Sequence, residues 1–228
     1  IIALKKKLVS RGIDVKVWMH DHNFSGWPKV LWQLGKYPEL AKSCDGVAFH
    51  YYEGAPEDTD NVMREYPSLE WHFTEGGPRL YDNYAADWCK WSTILSRSLK
   101  HGCTTFTGWN LMLDEVGGPN IGPFFCGGLA TRNSVSGELS YSGQYRAFCH
   151  YSKYIKRGAR IYNADTSRKA NSLFSFADSA KFAEVCAASN PDGTFVLIVT
   201  NPNGEKRQLQ YYGFGKWWYI EALPNSVS

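Results

Sequence analysis

The sequence predicts an α/β fold followed by a β-rich tail, and three observations carry that prediction. Helical and strand-like segments alternate four times between residues 1 and 115, the pattern of parallel βα units joined by right-handed crossovers. Polar and aromatic residues gather at the carboxyl end of each of these strands, where both a (β/α)8 barrel and a doubly wound sheet place their ligands. Beyond Gly158 the helical period disappears and short strand-like runs take over, as in an antiparallel sandwich.

The elements follow in order. Ile1, Ile2, Leu4, Leu8 and Val9 recur at helical spacing, and Gly12 ends the pattern. Val15 to Met19 alternates like a strand and runs into His20-Asp21-His22-Asn23. Tyr37 to Ser43 reads as a helix, with Pro38 in its first turn. Val47 to Tyr52 is a buried-type strand, Asp60 to Tyr66 a short helix, and Glu70 to Glu75 a strand followed by Gly76-Gly77. Tyr84 to Lys100 is an amphipathic helix closed by Gly102, and Thr104 to Leu111 the fourth strand, running into Asp114-Glu115. Residues 116–140 are rich in Gly, Pro, Asn and Ser and read as a long functional loop. A helix from Gln144 to Lys156 follows. Strands are then expected near Ile161 and over Leu173–Phe176, Glu184–Ala188, Phe195–Thr200, Arg207–Tyr212 and Trp217–Ala222. Asn190-Pro191-Asp192-Gly193 reads as the hairpin turn between two of them. The domain boundary falls near Gly158, giving parts 1–158 and 159–228.

Composition removes several function classes. The 228 residues carry 25 basic and 22 acidic side chains, net +3, too mild a balance for a nucleic-acid binder. The one basic run, Lys5-Lys6-Lys7, lies on the solvated face of a helix. No apolar stretch approaches the roughly 20 residues of a membrane helix, and mean hydropathy is −0.39. Neither G-x-G-x-x-G nor G-x-x-x-x-G-K-[ST] follows any strand, which disfavours nucleotides. The six cysteines form no C-x-x-C pair and so point to neither a zinc ribbon nor a thioredoxin-type site. The positive signal is aromatic: 9 Trp, 14 Tyr and 12 Phe make 15% of the chain. Most must fill the core. Trp and Tyr at strand ends, however, offer flat platforms with a polar handle, which suit sugars.

Among the strand ends Glu75 is the sharpest. A carboxylate there, before two glycines, can serve as nucleophile or as general acid/base; the alternative is a loop carboxylate paired to Arg79. His20 and His22, at i and i+2 on one face of a strand, offer two metal ligands without an evident third, or hydrogen bonds to a ligand or to carboxylates. Asn23-Phe24-Ser25 matches a glycosylation acceptor, a chance match so near a strand end. Tyr52 is placed to donate its phenol to a neighbouring carboxylate, favouring the ionised form. Trp109 and Asn110 end the fourth strand pointing opposite ways, so one of them faces the pocket. Asp114-Glu115 supplies another acid or caps its loop.

Three stretches carry a specific resemblance: Phe73-Thr74-Glu75-Gly76; Gly108 to Glu115 with Gly117-Gly118-Pro119-Asn120; and His150-Tyr151-Ser152-Lys153-Tyr154-Ile155 with Gly158. In order and across nearly the whole chain, the sequence resembles glycoside hydrolase family 30, which holds glucosylceramidases, β-1,6-glucanases and xylanases. The resemblance implies the carboxyl-terminal half of a (β/α)8 barrel, strands five to eight, followed by a β-sandwich side domain. It implies a retaining β-glycosidase without cofactor or metal, acting on a β-glucoside, glycolipid or β-glucan: first a glucosylceramidase or β-glucosidase, with a β-1,6-glucanase or other β-glycan hydrolase as the alternative. The aromatic platforms leave a reading of another class open, a non-catalytic carbohydrate-binding protein. Glu75 matches the nucleophile, Tyr52 the tyrosine that supports it, and Trp109 the tryptophan lining the sugar subsite. Asp21 and Asn23 fall among pocket residues, and Asn120 is a candidate rim contact; His50, a polar group at the carboxyl end of its strand, is a further candidate for substrate binding. The expected setting is extracellular, periplasmic or lysosome-like.

One departure matters. The family's acid/base glutamate follows an Asn at the end of the fourth barrel strand, and no Asn-Glu dipeptide occurs here. A retaining glycosidase needs two carboxyl groups about 5–5.5 Å apart. The expectation is therefore a fragment that holds the nucleophile, lacks the acid/base, is inactive by itself, and leaves two sheet edges unclosed.

Overall fold

A computed structural model describes residues 1–120, 125–164, 183–213 and 215–228. The chain divides into two units: residues 1–76 with 97–109, and residues 77–96 with 110–228.

The first unit is built on a four-stranded parallel sheet in sequential order β1-β2-β3-β4. Its strands are β1 (Trp18–Asn23), β2 (Gly46–His50), β3 (Glu70–Glu75) and β4 (Cys103–Phe106). Every residue of β2 is buried, as befits a central parallel strand covered on both faces. Four helices precede or link the strands: α1 (Ile2–Ser10), α2 (Trp27–Lys36), α3 (Pro38–Ser43) and α4 (Asp60–Glu65). The helix after β3, α5 (Trp88–Lys100), runs from the second unit into the first. Phe24, Phe49, Trp71 and Phe73 are at most 1% exposed and meet in edge-to-face, stacked and tilted ring pairs. Truncating any one of these large rings to alanine costs about 3–5 kcal/mol, since the surroundings collapse only partly. The one polar atom in this ring cluster is not orphaned: Trp71 Nε1 donates to the His101 carbonyl at 2.7 Å. The end of α5 is held by Arg97, whose guanidinium donates twice to Glu57 at 2.6 Å, the fork geometry carboxylates match best.

The second unit holds β5 (Met112–Leu113), β6 (Ala130–Arg132) and β7 (Leu139–Tyr141) in one small sheet, then α6 (Gly143–Tyr154). Ser142 caps α6, its hydroxyl accepting from Tyr145 N at 3.0 Å. An antiparallel sheet follows in the order β13-β10-β9-β8, made of β8 (Arg160–Tyr162), β9 (Glu184–Ser189), β10 (Phe195–Asn201) and β13 (Ser226–Val227). A two-stranded ladder pairs β11 (Arg207–Gly213) with β12 (Lys216–Ala222). Val185, Ala187 and Val199 from the larger sheet share one core with Leu209, Tyr211, Ile220 and Ala222 from the ladder. That face-to-face burial is sandwich-like. The β9–β10 turn falls on Asn190–Gly193, where Gly193 takes φ +82°. The Asn190 amide also ties down the end of α6, donating to Tyr154 O at 2.9 Å and accepting from Lys156 N at 2.8 Å.

Several expected elements shift. The first strand begins at Trp18 and continues through Asn23, and the fourth ends at Phe106 rather than Leu111. The helix expected from Tyr84 starts at Trp88 after a run of turns. Helix α2 is not legible as a helix in the sequence, because Pro28 and Gly35 punctuate it; Val30 and Leu34, one turn apart, nonetheless bury its inner face. The loop over 116–140 carries β6 and the start of β7. The strand expected at Leu173–Phe176 lies outside the described residues. All six cysteines are free thiols.

Candidate active site

The parallel ladders put three predicted residues side by side. Asn23 of β1 is in register with His50 of β2, and His50 with Glu75 of β3. Both ladders slip just before this row, between His20 and His22 and between Phe49 and His50. Such bulges re-aim side chains at strand ends. On β1 the irregularity is pronounced: His20 and Asp21 both take positive φ, 77° and 57°. The strict alternation that would set His20 and His22 on one face is thereby broken. His20 Nε2 instead bonds the Asn23 carbonyl at 3.1 Å.

A chain of polar contacts links these ends. Tyr52 Oη donates to Glu75 Oε1 at 3.1 Å. His50 Nδ1 lies 3.9 Å from the same oxygen, while its Nε2 is 3.0 Å from Asp21 Oδ1. Thr74 Oγ1 donates to that Asp21 oxygen at 2.8 Å. His50 is buried, whereas the Glu75 side chain is 30% exposed and that of Asp21 70% exposed. The imidazole thus stands between two carboxylates, one ring nitrogen toward each, which fixes its orientation. Burial pushes the Asp21 carboxyl up, but hydrogen bonds from Thr74 and His50 outweigh it and hold the group below its ordinary value. Burial lowers His20, helped by the neighbouring His22, His50 and Lys29 charges; a neutral His20 suits its single hydrogen bond.

Gly76 explains why the chain can turn directly after Glu75. A Cβ there would stand 2.6 Å from Phe73 Cζ and 2.7 Å from Tyr51 Cδ1, so any larger residue displaces one of those rings. Phe73 is further pinned by Phe106, stacked on it at 3.8 Å. Trp109 lies three residues beyond the end of β4, not on it, and its backbone N–H donates to the Gly76 carbonyl at 3.1 Å. Its indole is 44% exposed, a platform anchored one residue from Glu75.

Other predicted residues fare differently. Asn120 is exposed in the loop after β5, in the second unit. Asp114 accepts from Val116 N and Gly118 N, and Glu115 from Ser134, so both serve their own loop. The Asn23 amide oxygen is buried without a hydrogen-bond partner, and Phe24 beside it is fully buried, a poor setting for a glycosylation acceptor. Among the described residues no group of three or more His, Cys, Asp or Glu is arranged to hold a metal ion. No sequence pattern assigns Thr74 a role, although it lies inside one of the three motifs; only the fold brings its hydroxyl to Asp21.

Comparison with known proteins fits this geometry. No protein-family model matches the chain. It is 24% identical over 230 residues to an endo-1,6-β-D-glucanase of Neurospora crassa, covering 96% of this chain and 45% of that protein. It is 28% identical over 192 residues to putative glucosylceramidase 3 of Caenorhabditis elegans, covering 78% of this chain and 36% of that protein. Among solved structures, the endo-β1,6-glucanase BT3312 superposes with a TM-score of 0.81 at 21% identity, over 98% of this chain and 50% of that one. The catalytic domain of GH30 xylanase C from Talaromyces cellulolyticus gives 0.68 at 19% identity, over 93% and 45%. The chain spans about half the length of the proteins it matches. The class to which the chain is similar is thus that of the β-glucanases and glucosylceramidases. Within it the resemblance read from the three motifs stands: the chain is similar to glycoside hydrolase family 30 along nearly all of its length.

Proposed function

We propose that this chain is the nucleophile-bearing part of a retaining β-glycosidase, and that Glu75 attacks the anomeric carbon. The observation that carries the proposal is the Tyr52 Oη to Glu75 Oε1 hydrogen bond at 3.1 Å, at the end of a parallel strand and beside an exposed Trp109. The phenol holds the carboxylate oxygen in place at the strand end, so that the carboxyl faces the pocket in one orientation. His50 and Asp21 hold the other side of the cluster, and Trp109 supplies a face for the sugar ring. Water then releases the sugar from the glycosyl-enzyme.

The second carboxyl that retention needs, about 5–5.5 Å from the first, is assigned to polypeptide outside these residues. Asp21 is unsuited to the role: its carboxyl is committed to His50 and Thr74 and lies below its ordinary pKa, the wrong direction for a proton donor. In this reading β1 to β4 are the last four strands of an eight-stranded barrel, and the residues from about 159 onward form its side domain. The reaction is hydrolysis of a β-glucosidic bond, outside the cytosol. Two substrates fit the relatives, a β-1,6-glucan and a glucosylceramide. The glucanases align over 96–97% of this chain and the glucosylceramidases over 78–87%, which favours the glucan.

Trapping tests the nucleophile. The full-length parent, treated with a 2-fluoro-glucoside, is expected to carry the label on the peptide holding Glu75; a label elsewhere removes the proposal. The 228-residue chain alone is expected to be inactive on aryl β-glucosides. Turnover by the purified chain would overturn the assignment of the acid/base to another segment.

A further inference from the structure

Strand alternation sorts the β11–β12 ladder into two faces. Leu209, Tyr211 and Ile220 pack on the core of the second unit. The opposite face carries Gln208, Gln210 and Tyr212 on β11, and Trp217, Tyr219 and Glu221 on β12. Register places Tyr212 opposite Trp217, Gln210 opposite Tyr219, and Gln208 opposite Glu221. Tyr212 is 61% exposed, Trp217 59% and Tyr219 76%. The Tyr212 and Trp217 rings stand 5.1 Å apart, tilted by 53°. Three large aromatics thus lie contiguously on one open face, bordered by two amides and a carboxylate.

We propose that this face is a glycan-binding platform, separate in role from the Glu75 site, and that it takes an extended β-linked glucan chain. The physical case is complementarity. Aromatic planes cover the apolar faces of pyranose rings, and Trp and Tyr do so with little conformational entropy to lose. Gln208, Gln210 and Glu221 supply the donors and acceptors that ring hydroxyls require. A lipid surface fits less well. Lys206 is neutralised by Glu221 at 2.6 Å, while Arg207 and Lys216 share strand parity with the core-facing Leu209 and Ile220 rather than with the platform. Lys216 Nζ sits over the Trp218 ring at 4.1 Å. The face therefore has aromatic and amide chemistry without a cationic field for anionic headgroups. The choice of a β-linked glucose polymer rests on the function proposed above; the platform itself rests on the ladder.

Affinity electrophoresis of the chain through native gels containing β-1,6-glucan or β-1,3-glucan tests it. Retardation is expected in at least one gel. The double variant Trp217→Ala/Tyr219→Ala is expected to bind about tenfold more weakly or worse, the loss that removing stacked rings produces. Its core-facing residues are untouched, and near-UV circular dichroism checks that it folds. Gln210→Ala is expected to weaken binding by a smaller factor. No retardation by either glucan, or retardation that survives the double variant, overturns the platform. So does binding to phosphatidylserine vesicles in place of glucan, or a glucan-independent dimer that the double variant abolishes. If the parent enzyme fails to hydrolyse β-glucosides while retardation behaves as expected, the proposed reaction falls and the platform stands.

Discussion

Two polar clusters in this chain show how differently the same chemistry can be used. At the ends of β1, β2 and β3 stand Asp21, His50, Tyr52, Thr74 and Glu75, a buried imidazole among carboxyl and hydroxyl groups that reach solvent. In the second unit Ser92, Tyr151 and Thr200 form a neutral hydroxyl cluster, each at most 4% exposed. Ser92 Oγ is 2.6 Å from Thr200 Oγ1 and 3.0 Å from Tyr151 Oη, and Tyr151 Oη also donates to the Ser92 carbonyl at 2.9 Å. Burial drives the Tyr151 phenol far above its ordinary pKa, so it acts only as a neutral linker of α5, α6 and β10. The buried cluster has its partners inside the protein and can only stabilise. The strand-end cluster keeps a carboxylate open to solvent, where it can meet a ligand.

That contrast predicts which variants damage activity and which damage stability. The largest effect is expected from Glu75→Gln, which should lower kcat of the parent enzyme by about 10⁴-fold or more while leaving the fold intact. Comparable thermal melts with surviving activity would break the comparison at its centre. Next comes Asp87, which precedes α5 in the second unit. It is 8% exposed, its Oδ1 has no partner, and Trp91 Nε1 donates to Oδ2 at 2.8 Å. Burial raises its carboxyl from 3.8 to about 6, against the opposing Trp91 bond. A raised carboxylate binds a proton in the folded state that the unfolded chain releases, so its contribution is full at low pH and declines as pH rises through about 4 to 6. Asp87→Asn should remove that decline, gaining about 2 kcal/mol at pH 7.5 relative to pH 4 in urea melts. Parallel pH profiles for variant and wild type would refute it.

Smaller effects sharpen the contrast. Tyr151→Phe leaves buried hydroxyl partners unsatisfied and should cost about 1–3 kcal/mol of stability without altering kcat. Tyr52→Phe should do the reverse. Its ring is 40% exposed, so melts should barely move, while loss of a hydrogen bond to a charged group lowers kcat by about tenfold. A Tyr52→Phe enzyme with unchanged kcat would show that this hydroxyl is structural, like that of Tyr151.

Much of this is legible in the residues alone. The four βα alternations appear as a parallel sheet in sequential order, and Glu70–Glu75 is a strand with the bounds expected from its residues. Tyr52 is expected to donate to a carboxylate, and the hydrogen bond to Glu75 is present. Such features are legible because hydrophobic period and glycine punctuation are local. Helix α2 escapes because its Pro28 and Gly35 argue against a helix locally, while Val30 and Leu34 are buried only once the sheet is there to cover.

The sequence by itself determined the periods, the turn at Asn190–Gly193, the strand that ends on Glu75, and the aromatic supply. Only the tertiary structure decided how these meet. Bulges beside His20 and His50, with left-handed backbone at His20 and Asp21, set Asn23, His50 and Glu75 in one row and bonded His20 to the Asn23 carbonyl. Thr74 reached Asp21, and Trp109 was tethered to Gly76, by hydrogen bonds between residues 33 to 53 positions apart. Register and bulges depend on the pairing of whole strands, and no local pattern encodes them.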